Sequence, residues 1–406
     1  MHKTGYDRGA EKLKIFMITT TFFPKVGGAE YQIKWLAEEL AKKGHEVYLF
    51  TPYEADEFIE KNEFCFPKNI SLRKGGANSF SDVFRMIYRF TKTIRRIKPD
   101  IVHAHYAFSA GFLAVITKPI HKAPVVITSH GEDIQVVKEI GYGMRLKRHR
   151  RLLVNLSLKW CDAHVLVSNS MQDAAINAGS QENKLYTIHN MFAPPNMKIH
   201  EKQIKDVLRK YKIPSNRKIL LSVSRLHPTK GLDYLIESMK KVIHTYKDSH
   251  LVIAGDGEER DRLEKLVNDQ GLKDYVTFTG WVEGVEKLAL IRSCDVFCLS
   301  SLKEGLPITL FEPMYYSKPI VAANVGGVPE VLGESEYTVE KANVDSFSNA
   351  ILKLLSDGNE REKVGKRANK RLEKFFADNI VVQYEELFKS LINRKSYLDT
   401  VYTGGK

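Results

Sequence analysis

A chain of 406 residues has the length of two domains, and 43% hydrophobic with 27% charged residues is the balance of a globular protein able to bury sizeable cores. No run of about 18 apolar residues occurs, which argues against a membrane-spanning helix, and the polar start Met1–Lys14 lacks the apolar centre of a secretion signal, so a cytoplasmic location is expected. The formal net charge of +13, with a pI near 9.3, favours an anionic partner without choosing among nucleic acid, acidic lipid and phosphorylated substrate.

Taken in chain order, a strand is expected over Leu13 to Thr20, a turn at Gly27-Gly28, a helix from Ala29 to Lys43 ended by Gly44, and a second strand over His45 to Thr51. Short apolar runs follow at Ile101 to His105, Val125 to His130, Ala163 to Ser168 and Leu185 to Ile188. The second half repeats the alternation. Strands are expected at Lys218 to Val223, His250 to Ala254, Val276 to Gly280, Asp295 to Ser300 and Pro319 to Ala323. Helices are expected at Leu232 to Tyr246 and Glu258 to Gln270, with a helical tail over Glu360 to Ile392. Phe192 to Asn216, with Ala193-Pro194-Pro195 and a polar stretch, reads as a linker. Such alternation implies two parallel sheets covered on both faces, with ligands outside the carboxyl ends of the strands.

Four cysteines are present, Cys65, Cys161, Cys294 and Cys298. Cys294 and Cys298 sit in an apolar run with no second pair, which fits buried, reduced thiols rather than a zinc site.

Four motifs carry chemistry. Gly27-Gly28-Ala29-Glu30 lets backbone N–H groups approach a phosphate at a helix start. It is not a dinucleotide fingerprint, because Thr51-Pro52-Tyr53 stands where an acidic residue would follow the second strand, and this weighs against an NAD enzyme. Thr128-Ser129-His130-Gly131-Glu132-Asp133 places His130 at a strand end. A three-histidine metal site with His103 and His105 is the sharp alternative there, unsupported by any nearby carboxylate or ligand spacing. Ser224-Arg225-Leu226-His227-Pro228-Thr229-Lys230-Gly231 offers two cations to a diphosphate; the bland alternative is two solvated surface charges. Ser301 to Glu312 holds two carboxylates, Glu304 in a loop and Glu312 in the early turns of a helix starting near Pro307, since Gly305 and Pro307 forbid one continuous helix.

Together with Val167-Ser168-Asn169-Ser170, Gly255-Asp256-Gly257 and Phe278-Thr279-Gly280-Trp281-Val282, these motifs resemble the family 4 retaining glycosyltransferases of the GT-B fold over nearly the whole chain. The resemblance implies an α/β protein of two Rossmann-like domains facing across a cleft, with the C-terminal helix packing back on the N-terminal domain. It implies an acceptor-binding domain over 1–195, a linker over 196–216, a nucleotide-sugar-binding domain over 217–377, and a returning helix over about 378–395. Arg225 and Lys230 resemble the pair that grips the donor diphosphate, and Gly27 and Gly28 the turn whose backbone approaches it. Glu304 resembles the carboxylate facing the transferred sugar. Gly305, Leu306 and Pro307 would line sugar and phosphate, Glu312 would bind ribose, Val282 would offer its backbone to the base, and His130 would stand beside the reacting centre. The implied reaction is hexosyl transfer with retention from a nucleotide-sugar co-substrate, UDP-sugar before GDP-mannose, to a glycan or lipid-linked acceptor in polysaccharide or glycoconjugate assembly. No cofactor and no essential metal are expected, because the two cations can neutralise the leaving group. One departure is His189-Asn190-Met191-Phe192, where the family often continues Asn-Gly-Val-Asp.

The segment Ser81 to Lys98 has an apolar stripe of Val83, Ile87, Phe90, Ile94 and Ile97, with Arg85, Arg89, Lys92, Arg95, Arg96 and Lys98 around it. A second cluster, Arg145 to Arg151, follows the His130 loop. Either the stripe packs on the sheet beneath a solvated basic face, or the segment rests on an anionic membrane as a peripheral protein. A nucleotide-sugar epimerase of the same architecture is the competing enzyme. A basic nucleic-acid binder is the competing class, although no recognised nucleic-acid module occurs.

Overall fold

The computed structural model describes residues 12–23, 27–51, 80–335 and 337–403, with the side chains of 80–86 and 396–403 left aside; Pro52, Tyr53 and Cys65 lie outside the described residues. The chain forms two compact units. The first takes the chain up to Val167, Met171–Met191 and everything from Ala377 onward, and the second takes Ser168–Ser170 and Phe192–Phe376.

The first unit is built on β1 (Lys14–Thr19), β2 (Glu46–Phe50), β3 (Ile101–His105), β4 (Val125–Ser129), β5 (Ala163–Leu166) and β6 (Leu185–Thr187). All pairings are parallel, in the order β2-β1-β3-β4-β5-β6. β1, β3, β4 and β5 are buried almost throughout because both faces are covered, and polar members such as His103, His105, Thr128, Ser129 and His164 are buried with them. Helix α1 (Gly28–Lys42) lays Ile33, Leu36, Ala37 and Leu40 on this sheet, an i, i+3, i+4, i+7 stripe. Helix α2 (Phe80–Ile97) buries Phe90, Ile94 and Ile97 and leaves Arg89, Lys92, Arg95 and Arg96 exposed. Ile87 is half-buried, so the stripe is core from Phe90 onward and the basic face is what remains outside, while the side chains of Val83 and Arg85 lie outside the described residues.

The terminal helix Ala377–Thr403 belongs to this first unit. Ile380, Val381, Tyr384, Leu387, Phe388 and Leu391 join the same core as α1, each worth about 1.5–3 kcal/mol relative to exposure. A polar clasp backs them. His45 accepts the Leu13 N–H at Nδ1 (3.2 Å), which leaves Nε2–H to donate to Glu385 at 2.9 Å, and Lys43 lies 3.2 Å from the other Glu385 oxygen.

The second unit carries β7 (Lys218–Val223), β8 (Ser249–Ala254), β9 (Val276–Gly280), β10 (Val296–Leu299), β11 (Ile320–Ala323) and β12 (Thr338–Val339), in the order β12-β11-β10-β7-β8-β9. Counted from its own first strand this is 3-2-1-4-5-6, the doubly wound order. Two-residue β12 escapes sequence reading because periodicity needs more residues than it has. The stretch read as a linker contains a helix, Glu201–Lys210. Ile204 and Val207 are its buried face, and Tyr211 and Lys210 hold Glu286 on the helix Gly284–Ser293. Pro194-Pro195 lies in the irregular stretch before it, and the charged remainder of the helix masks its single apolar edge.

Cys161, Cys294 and Cys298 are free and buried, and burial pushes the Cys161 and Cys294 thiols up to about 12. Cys294 ends the helix Gly284–Ser293 rather than sharing β10 with Cys298.

Candidate functional site

Each sheet has one point where successive connections leave in opposite directions, and ligands bind outside the strand ends there. In the first unit that point lies between β1 and β3, whose last residues Thr19 and His105 are register partners. α1 starts just after Gly27, and the Glu30 carboxylate folds back to within 2.6 Å of where a Cβ on Gly27 would stand. A side chain at Gly27 would have to displace the Glu30 carboxylate, which is free to swing, and the extended backbone there (φ -158°) suits any residue, so the glycine leaves the turn open without being required by it.

β3 leads into Tyr106, whose φ of 74° is unfavourable for a side-chain-bearing residue and costs about 1–3 kcal/mol. The surroundings enforce it. Tyr106 N–H donates to Thr128 O (2.9 Å), Gly111 N–H donates to Tyr106 O (3.0 Å), and Ala107 N–H donates to Asp133 (2.8 Å). Asp133 is fully buried and also accepts from Ser129 Oγ at 2.7 Å. That hydroxyl is thereby committed as a donor, so His164 Nε2–H donates to it (2.8 Å) and His164 Nδ1 accepts from Ser180 (2.6 Å). This buried chain pins the loop that carries His130.

His130 Nε2 lies 3.1 Å from His105 Nδ1, with the two rings stacked, and the Tyr106 ring is 4.9 Å from that of His130. The His103 ring lies 4.3 Å from that of His105, tilted by 38°, and His103 Nε2 meets Thr128 Oγ1 at 2.8 Å. The three histidines thus come together. Burial lowers His130 to about 4, and burial with the His130 charge lowers His103 to about 3, so all sit neutral near pH 7, His105 included. Among the described residues no group of three His, Cys, Asp or Glu side chains is placed to hold a metal ion.

In the second unit the switch point lies between β7 and β10, and the strongest motifs flank it. After β7, Arg225 projects into solvent with no described partner. Lys230 ends a short turn over Pro228–Lys230, begun where the His227 ring accepts from Thr229 N–H. After β10, the loop Ser300 to Pro307 runs beside this turn and is tied to it. Leu302 N–H donates to Thr229 O (2.7 Å), and Ser300 Oγ donates to Lys230 O (2.9 Å). Gly231 (φ 54°) makes the approach feasible, since a Cβ there would stand 2.5 Å from Ser300 O.

The result is a close pair. Lys230 Nζ lies 2.6 Å from Glu304 Oε1, with side-chain exposures of 17% and 10%. Ser301, fully buried, donates to the same oxygen at 2.7 Å. Gly305 O accepts Gly327 N–H (2.8 Å), and Gly326 (φ 52°) passes so near that a Cβ would be 2.0 Å from Glu304 O. Leu306 and Pro307 are buried under the loop, and Thr309 Oγ1 returns to Val223 O (2.9 Å). Glu312 follows in the first turn of the helix Phe311–Tyr315, 2.7 Å from Lys287, both about four-fifths buried. Val282 is buried just beyond β9, at the start of the segment leading to the Lys287 helix.

Arg225, Lys230, Glu304, Gly305, Leu306, Pro307, Glu312 and Val282 are therefore gathered at one sheet edge, and Gly27, Gly28 and His130 at the other unit's edge. Sequence reasoning gave no role to Ser301, Lys287, Asp133 or the Gly326-Gly327 loop. The last had a readable signal, two glycines directly after an apolar strand and before Val328-Pro329.

Two family models match the chain, "Glycosyltransferase Family 4" over residues 26–193 and "Glycosyl transferases group 1" over residues 203–371. N-acetyl-alpha-D-glucosaminyl L-malate synthase of Bacillus anthracis is 27% identical, covering 94% of this chain and 98% of its own. Alpha-monoglucosyldiacylglycerol synthase of Streptococcus pneumoniae is 26% identical, covering 91% and 86%. Among solved structures, Anabaena HepE in complex with UDP-glucose superposes with a TM-score of 0.78 at 20% identity, covering 93% of this chain and 100% of that one.

Proposed function

The chain belongs to glycosyltransferase family 4, with the two Rossmann-like halves of the GT-B fold, and from that premise we propose that it transfers a hexosyl group from a nucleoside-diphosphate sugar with retention of anomeric configuration. It is a glycosyltransferase of glycoconjugate biosynthesis. A UDP-sugar is the favoured donor, since HepE was solved with UDP-glucose, and GDP-mannose is next. The acceptor is a glycan or lipid-linked hydroxyl, in keeping with a relative named for diacylglycerol.

The observation that carries this reading is the pairing of Lys230 with Glu304 at the switch point, with Arg225, exposed and without a side-chain partner among the described residues, five positions before Lys230. Departure of the donor's nucleoside diphosphate breaks the bond from the sugar's C1 to the phosphate oxygen and leaves an additional negative charge on that oxygen. Arg225 and Lys230 neutralise it, a task a divalent ion performs elsewhere, and we read the transfer as metal-independent. The acceptor oxygen bonds to C1 on the face the phosphate leaves, and its proton passes to the departing phosphate oxygen. Glu304 accepts hydroxyls of the transferred sugar, Glu312 those of ribose. Backbone groups of Gly305, Leu306 and Pro307 line sugar and phosphate, that of Val282 meets the base, and Gly27 and Gly28 approach the phosphates. His130, neutral at working pH, serves as a hydrogen-bonding partner of the sugar rather than a charge. No helix among the described residues is long and apolar enough to cross a membrane, and the exposed basic face of α2 suits peripheral attachment to an anionic lipid surface.

The test is product analysis by NMR with α-configured UDP- and GDP-sugars and a simple alkyl or lipid alcohol acceptor. An α-linked product supports the reading, and a β-linked product overturns retention.

A further inference from the structure

Glu304 uses one oxygen twice and the other not at all. Oε1 receives Lys230 Nζ at 2.6 Å and Ser301 Oγ at 2.7 Å, whereas Oε2 has no partner among the described residues. The two donors differ in what else they do. Lys230 is also assigned to the diphosphate, and two negative charges in reach of one ammonium must draw it from a single carboxylate. Ser301 has no such competitor. It is fully buried in the loop just after β10, and its neighbours Ser300 and Leu302 are bonded to the Lys230 turn, so its hydroxyl has little freedom to leave.

We propose that Ser301 is a positioning residue that holds the Glu304 carboxylate for the transferred sugar once the donor diphosphate engages Lys230. In the empty site Lys230 and Ser301 share the carboxylate. With donor present, the Ser301 hydroxyl alone keeps Oε1 in place and Oε2 turned to the sugar hydroxyls. Binding the nucleoside diphosphate product, which lacks the sugar, does not depend on Ser301. This rests on the donor reading above.

The experiment compares wild type, Ser301→Ala and Ser301→Thr, each checked for an unchanged melting profile. Two quantities are read: affinity for UDP and GDP by calorimetry, and kcat/KM for the nucleotide sugar together with donors deoxygenated singly around the sugar ring. The expected result is that Ser301→Ala leaves nucleoside diphosphate affinity within about twofold while kcat/KM falls about ten- to hundredfold, the range for a hydrogen bond to a charged group. The penalty for removing the hydroxyl that Glu304 meets shrinks in Ser301→Ala, and Ser301→Thr restores most activity. Unchanged kcat/KM in Ser301→Ala overturns the inference, as does an equal loss of nucleoside diphosphate affinity. A wild type that binds neither nucleoside diphosphate sinks the donor reading instead, so the two failures are distinguishable.

Discussion

Lys230 and Glu304 stand 2.6 Å apart although 74 residues separate them in the chain, and both are largely buried. The ion pair places the proposed phosphate ligand against the proposed sugar ligand. A pair this sheltered is costly to break from one side only, because the survivor is left as an uncompensated charge. Lys230→Ala therefore removes a phosphate ligand and destabilises the loop together. Arg225→Ala removes only an exposed cation. In a melting series Arg225→Ala should match wild type within about 0.5 kcal/mol, as surface changes do, while Lys230→Ala loses about 3 kcal/mol or more. Both should lower kcat by about 100-fold or more in the transfer assay, by the measure of removing one charge-stabilising donor. Full activity in Arg225→Ala would remove it from the site.

Glu312 is held by Lys287 at 2.7 Å, and a carboxylate so fixed recognises ribose by geometry. Glu312→Ala should weaken the nucleotide about ten- to hundredfold, and the wild-type preference for ribo- over 2′- or 3′-deoxynucleotide should shrink toward none. An undiminished preference in Glu312→Ala, measured by competitive inhibition, would place ribose elsewhere.

The architecture was legible where its physics is local. Strand runs such as Ile101–His105 and Lys218–Val223 are apolar enough to read directly, and the glycine turn before α1 marks its start. The residues read from their motifs follow the carboxyl ends of their strands, Arg225 and Lys230 after β7 and Glu304 after β10 at the second switch point, His130 after β4 in the first unit and Val282 after β9 in the second. The hidden part was what depends on distant partners. Ser301 looks like one more loop serine until Glu304 is seen above it, and Asp133 looks solvated until Ala107 and Ser129 close on it. The helix Glu201–Lys210 was hidden because its buried edge is only Ile204 and Val207.

Buried neutral histidines make stability depend on pH. His164 is lowered to about 3 by burial, and His103 and His130 to about 3 and 4. Below about 6.5 the unfolded chain binds protons that the folded chain does not, so stability is full above that pH and falls as pH drops toward the folded values. Each such histidine contributes a slope of up to about 1.4 kcal/mol per pH unit in that window. Urea midpoints at pH 7.5, 6 and 5 should fall for wild type. They should fall less steeply for His164→Gln, which is weaker at pH 7.5 through loss of the Ser129 and Ser180 bonds. An equal slope would show that His164 does not titrate on unfolding.

If α2 contacts a membrane, it does so by charge, since Phe90, Ile94 and Ile97 are spent in the core. Co-sedimentation with anionic vesicles at low salt should vanish on raising ionic strength, and should fall strongly in the triple variant of Lys92, Arg95 and Arg96 to Glu, at about 1 kcal/mol per cation. Salt-insensitive binding would point to an inserted apolar surface instead.

The most direct test of the donor assignment is a thermal-shift panel of UDP, GDP, ADP and their common sugars on wild type and Glu312→Ala. The expected result is a melting-temperature rise with one nucleotide, UDP first, that is markedly smaller in the variant. No rise with any nucleotide, or a rise equal in both proteins, would contradict the nucleotide-sugar site proposed around Lys230, Glu304 and Glu312.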